Sequence, residues 1–191
     1  MKRCIISLLL IIISFTLLAQ SKQQPDSNKL GRALDYFAGR KYHEALVILV
    51  KLDESHKLSP RFKAYIGVCY YHEQDYKMVC QYLDQALPFL DAYSPPERNV
   101  YYHITAESHF MLNEYNKAIP LYEKQLMVCH DNEKGDVFYR LGFCYMFMEK
   151  WENAICYFNS ALAYYDKFSK VVNNARITQL KKMIKGCEKN K

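Results

Sequence analysis

The side chains of this sequence best suited to chemistry are its six histidines and seven cysteines. Their spacing organises no reaction. In "YYHEQDY", His72 and Glu73 begin an HExxH pattern, but position 76 is Tyr, so a second imidazole on the same helical face is missing. His103 and His109 are six apart and do not share a face cleanly. No two cysteines form CxxC, which removes the common spacing of zinc sites and redox-active dithiols. There is no Gly-rich phosphate loop and no GxSxG elbow. The sequence offers no catalytic residue, no cofactor-binding residue and no metal ligand. The histidines read as solvent or packing residues, and the chain is not expected to be an enzyme.

The elements that carry these residues have few interruptions. Six glycines and six prolines in 191 residues leave little room for long loops. Seventeen tyrosines and ten phenylalanines argue for packed structure rather than disorder. The N-terminus stands apart: Lys2 and Arg3, an apolar run from Cys4 to Ala19, then the polar "QSKQQPDSNK". That order describes a secretory signal peptide over residues 1–19, followed by a linker over 20–25. The run is shorter than the roughly 20 residues of a spanning helix. Its "LLAQ" ending is similar to signal peptides of Gram-negative envelope proteins. The expected location is therefore outside the cytoplasm, in the periplasm or cell envelope of a Gram-negative-type bacterium. Residues from Lys167 onward hold eight basic side chains against one acid, a net +7. Setting Lys2 and Arg3 aside from the total of +6 leaves the body from 20 to 166 at −3. A nucleic-acid-binding protein would place its basic stripe across the folded body, so no nucleic-acid partner is expected.

Between linker and tail the sequence repeats. "YHEALVILVKL" from Tyr42, "YKMVCQYLDQAL" from Tyr76, "YNKAIPLYEKQL" from Tyr115 and "WENAICYFNSAL" from Trp151 superimpose. Their starts are separated by 34, 39 and 36 residues. Each has Ala or Val three places after the leading aromatic (Ala45, Val79, Ala118, Ala154) and a bulky residue four later (Leu49, Leu83, Tyr122, Phe158). Nine residues before each aromatic comes a small residue: Ala33, Gly67, Ala106, Gly142. Helical spacing, a short polar break and helical spacing again make each unit a helix–turn–helix. "SPRF" offers Ser59 as N-cap with Pro60 at the first helical position. "SPPE" sets Ser94 and Glu97 at capping-box spacing.

These residues resemble the tetratricopeptide repeat, a 34-residue helical hairpin with large residues at positions 4, 7, 11 and 24 and small ones at 8, 20 and 27. Residues 135–168 fit best, through Phe138, Leu141, Gly142, Tyr145, Ala154, Phe158 and Ala161. Residues 60–93 follow, with Ile66, Gly67, Tyr70, Leu83 and Ala86. Residues 99–132 have Thr105 and His109 where Leu and Tyr are usual, and residues 26–59 depart most, with Arg32 and Leu52. The resemblance implies an all-α fold: a right-handed superhelical α-solenoid of about four hairpins over 26–168. A capping helix over 169–188 closes it through Ile177, Leu180, Ile184 and Cys187, with 189–191 as tail. Cys69 and Cys80 fall at positions 10 and 21 of one hairpin, at similar heights on facing helices, so in an oxidising compartment they are a candidate disulfide.

In such arrays the first helix of each hairpin lines a concave groove. Carried over, that groove holds Leu34, Phe37, Val68, Tyr71, His72, His103, Glu107, Phe110, Met111, Tyr139, Phe143, Met146 and Phe147. It is rich in aromatic and Met side chains and poor in charge, the composition of an adaptable interaction surface. Arrays that clamp a C-terminal carboxylate place Lys and Asn where this chain has Leu30 and Leu34, so that mode is not expected. The expected function is a non-catalytic protein–protein interaction scaffold of the envelope, with a protein or peptide partner and no cofactor. The alternative keeps the N-terminal apolar helix as an anchor and makes the chain a membrane-bound structural adaptor of an envelope complex. Membrane contact is expected only in that case.

Overall fold

The computed structural model describes residues 26–168 and 174–191. The apolar segment 1–19, the linker 20–25 and residues 169–173 lie outside the described residues. Nine α-helices run in sequence among the described residues: α1 (Asp26–Ala38), α2 (Tyr42–His56), α3 (Pro60–His72), α4 (Tyr76–Ala86), α5 (Pro95–Met111), α6 (Tyr115–Leu126), α7 (Asp131–Phe147), α8 (Trp151–Phe168) and α9 (Asn174–Lys189). A 3₁₀ turn, Leu87–Phe89, follows α4. The helices pair as α1–α2, α3–α4, α5–α6 and α7–α8, and α9 lies on α8. This is the expected solenoid of four hairpins and a capping helix. Helices α5 and α7 begin at Pro95 and Asp131, one turn ahead of the repeat positions that start at 99 and 135.

One turn geometry recurs inside all four hairpins. Arg40, Gln74, Asn113 and Glu149, each two residues before the leading aromatic, adopt left-handed φ values of 58°, 60°, 61° and 58°. The next backbone N–H reaches back five residues in every case: Lys41 to Tyr36 O, Asp75 to Tyr70 O, Glu114 to His109 O and Lys150 to Tyr145 O, at 2.8–3.0 Å. This is the Schellman ending of a helix, with the left-handed residue usually Gly. Asp75 also accepts from Met78 N at 3.2 Å and caps α4. Ser59 and Ser94 stand at N-cap positions, but neither side chain makes a cap hydrogen bond. The Glu97 carboxylate is drawn instead to Arg61 at 3.3 Å and to the Tyr101 hydroxyl at 2.9 Å.

Within a hairpin the helices meet at the small residues. A Cβ on Gly67 would stand 2.6 Å from Leu83 Cγ, and one on Gly142 would stand 2.4 Å from Phe158 Cδ1. Large side chains fill the space beside these approaches, and Leu49, Leu83, Tyr122 and Phe158 have no exposed surface. Each core cluster spans a hairpin and the first helix of the next, as Ala33, Ala45 and Leu49 do with Ile66 and Cys69. Leu180 and Cys187 of α9 close the last cluster over Phe158. The α9 lysines, Lys181, Lys182 and Lys185, are exposed. Cys69 and Cys80 are free thiols, not a disulfide. Cys69 sits in the first cluster, where burial pushes its pKa up to about 12. Cys80 Sγ faces the His109 ring of the next hairpin at 3.6 Å, so the two sulfurs address different joints.

The joint between the second and third hairpins adds buried polar contacts to its apolar core. His109 on α5 is 2% exposed. Its Nε2 meets Asp84 of α4 at 3.1 Å and its Nδ1 meets Glu114 of the α5–α6 turn at 2.6 Å. Burial opposes the imidazolium, but its hydrogen bonds to Asp84, Cys80 and Glu114 outweigh that and raise its pKa to about 10.

Two measurements test these readings. Replacing the left-handed Gln74 with Gly is expected to raise stability by about 1 kcal/mol, and Gly142→Ala to lower it by about 1–3 kcal/mol, both read as urea midpoints. His109 binds its proton more tightly folded than unfolded, so its contribution is complete below pH 6.5 and is lost as pH rises toward 10. Stability should therefore fall between pH 7 and 9.5 by up to about 1.4 kcal/mol per unit, and His109→Gln should flatten that slope.

Candidate functional site: the concave groove

Helices α1, α3, α5 and α7 lead their hairpins, and their side chains, with the tyrosines that open α2, α4 and α6, form two aromatic clusters. In the first, Phe37 stacks on Tyr65 at 4.6 Å and meets Tyr42 edge-on at 5.7 Å. His72 lies flat on Tyr42, 3.7 Å between centroids, with Tyr71 beside it and against Tyr76. Burial, and then the charge of Arg40, hold the His72 pKa below its ordinary value, which favours the neutral stacked ring. In the second cluster Phe110 of α5 lies 5.9 Å from Phe147 of α7, and Tyr115 stacks on Phe147 at 5.3 Å. Phe143 extends the row to Phe147 at 5.8 Å and to Tyr139 at 4.7 Å. These rings belong to two hairpins yet form one continuous patch. Phe147 is 50% exposed and Met111 52%. Leu34 and Met146 are half-buried.

Two expected groove residues are not surface residues. Val68 is buried in the core between α3 and α4. Glu107 is buried beneath the groove floor, where it accepts the Tyr122 hydroxyl at 2.6 Å and pairs with Arg140 at 2.7 Å. The buried, acid-bonded Tyr122 hydroxyl is correspondingly held far from ionisation. Arg140 in turn covers the Phe110 ring at 5.1 Å. The groove is thus less uniformly apolar than its sequence positions imply, because α5 hides polar side chains. Thr105 and Ser108 bond back to the carbonyls of Tyr101 and Ile104 at 2.7 Å, which satisfies two more buried groups.

Between α5 and α7 the groove deepens into a cavity of about 630 Å³. Asn99, His103 and Gln125 line one side, and Glu133, Asp136 and Tyr139 the other. Arg176, from the capping helix, closes the end: it pairs with Asp136, touches the Tyr165 hydroxyl at 3.3 Å and lies 5.4 Å from the Tyr139 ring centre. Of the residues expected from sequence, His103 and Tyr139 reach this cavity. Arg140, Arg176, Gln125 and Tyr115 were not expected in the groove. Tyr115 carried a signal, as the recurrent aromatic after the turn. Arg176 carried none, because its place depends on how α9 docks. The arrangement can hold an extended chain with an apolar side chain on the aromatic patch and a polar one in the cavity. Among the described residues no cluster of His, Cys, Asp and Glu has the form of a metal site.

The geometry agrees with comparison to known proteins. Residues 136–167 match the family model of the tetratricopeptide repeat. Comparison with curated proteins gave no match. Among solved structures, MamA of AMB-1 is similar at a TM-score of 0.63 with 18% identity, over 86% of this chain and 85% of that one. MamA from Desulfovibrio magneticus RS-1 gives 0.59 with 15% identity, over 89% and 93%. The apo form of RapI gives 0.62 with 16% identity, over 86% of this chain and 63% of that one. At these identities the likeness is one of fold. The fourth hairpin is matched directly by that family model, and the fold along the array is that of a tetratricopeptide-repeat solenoid.

Proposed function

We propose that this chain is a non-catalytic protein–protein interaction scaffold of the cell envelope, holding a peptide or a segment of a partner protein in its concave groove. The observation that carries the reading is the aromatic patch of Phe110, Tyr115, Phe143 and Phe147. It spans two hairpins and leaves Phe147 and Met111 half exposed, although the core around it is closed. Contiguous exposed apolar surface of this kind serves recognition, and rigid aromatics dominate binding energy at interfaces. The family's architecture supports the same use, since stacked repeats present an extended concave surface. The envelope location rests on the signal-peptide pattern of residues 1–19.

The groove is tested by capture from an envelope fraction, with the full chain as bait. The double variant Phe110→Ala with Phe147→Ala is expected to lose about tenfold or more of each specific partner while keeping its helical circular dichroism. Undiminished capture by the folded variant removes the groove reading. N-terminal sequencing of the protein recovered from its host tests the location: a start at Gln20 fits export with cleavage, whereas an intact Met1 fits the membrane-anchored adaptor.

A further inference from the structure

Two residues that line the cavity between α5 and α7 hold buried side-chain oxygens that lack a donor. Gln125 is 5% exposed; its Nε2 faces His103 Nδ1 at 3.4 Å, and its buried Oε1 has no hydrogen-bond partner. Asn99 Oδ1 is buried and unpartnered too. That amide is fixed in orientation, because its Nδ2 donates to Glu133 Oε2 at 3.1 Å and a carboxylate can only accept. The other donor to Glu133 is the His130 backbone N–H, on the same oxygen at 2.9 Å. Both donors are neutral, and Glu133 forms no ion pair among the described residues. The neighbouring acids differ: Glu107 has Arg140 and Asp136 has Arg176. The cavity's arginines are therefore committed, while two amide oxygens of its lining residues lack a donor and Glu133 lacks a cationic partner.

Unsatisfied buried acceptors are costly, and their natural complement is a group rich in N–H donors. A Lys ammonium carries three donors, an Arg guanidinium five, and neither accepts. The volume, about 630 Å³, exceeds the need of a few waters and admits a long side chain. Building on the groove reading, we propose that this cavity receives a lysine or arginine side chain of the bound peptide. Its charge faces Glu133, its N–H groups meet Asn99 Oδ1 and Gln125 Oε1, and its aliphatic stem lies along Val100 and Val137. An acidic side chain is disfavoured there, since it would have to displace Glu107 or Asp136 from its arginine.

The probes are N-acetyl-lysine methylamide, its arginine counterpart and the uncharged, near-isosteric norleucine amide, titrated into the full chain and followed by the side-chain amide NMR signals of Asn99 and Gln125. Saturable shifts with the two basic probes and none with norleucine are expected. Glu133→Gln is expected to weaken the basic probes about fivefold, a loss typical of a partly exposed charge pair. Gln at this position still accepts from His130 N and Asn99, so α7 and the cavity wall persist. Equal shifts with norleucine, no shifts with any probe, a preference for a glutamate probe, or unchanged affinity in Glu133→Gln would each overturn the proposal. Failure of the aromatic patch alone looks different: the basic probes still shift Asn99 and Gln125, while capture ignores Phe110→Ala with Phe147→Ala. That result leaves a cation pocket without a bound peptide and overturns the peptide occupant.

Discussion

The rest of the structure depends on a sharp reversal after the first helix of each hairpin. A helix ended by one residue in the left-handed region satisfies its last carbonyls and turns back within a few residues. Arg40, Gln74, Asn113 and Glu149 each accept that conformation, two places before the aromatic that opens the next helix. Because the reversal is the same each time, the returning helix meets the outgoing one at the same height. A small residue then has to occupy the contact. Gly67 against Leu83 and Gly142 against Phe158 show how little room is left. Stacking follows, since a hairpin built this way still has an apolar face that only the next hairpin can cover.

The third hairpin solves its packing differently. Thr105 and His109 replace the usual apolar residues, and the helix that carries them also buries Glu107 and Ser108. Buried polar groups persist only when bonded, and each of these has found a partner. His109 takes Asp84 and Glu114, while Glu107 takes Tyr122 and Arg140. Those partners come from the second, third and fourth hairpins. One polar helix thus ties three units together and shapes the floor of the groove between α5 and α7.

This division explains what was legible in the sequence. The helices, their order and the close contacts could be read because they obey a repeat: Gly142, Ala154 and Phe158 mean the same at positions 8, 20 and 24 wherever they recur. Phe110, Phe143 and Phe147, taken from recurrent positions of the first helices, lie together in one patch. The polar cavity was not legible. It is made where the sequence leaves the pattern, by side chains whose partners lie 22 to 40 residues away, such as Gln125 with His103 and Arg176 with Asp136. No local period encodes such pairings. Cys69 and Cys80 failed for a related reason: equal heights on paired helices do not fix which face a side chain takes, and here one thiol enters the core while the other meets His109.

The unequal joints have a mechanical consequence. A solenoid has no central core, so its curvature is the running total of small rotations at successive joints. Between α8 and α9 the core of the joint is the apolar packing of Leu180, Cys187 and Phe158, with ion pairs only at its edge. At the middle of the array the apolar packing is joined by His109 with Asp84 and Glu114 and by Glu107 with Arg140, whose attraction depends on the surrounding ions and proton activity. The bend at the centre of the array is therefore tied to the charge of one buried imidazole, His109.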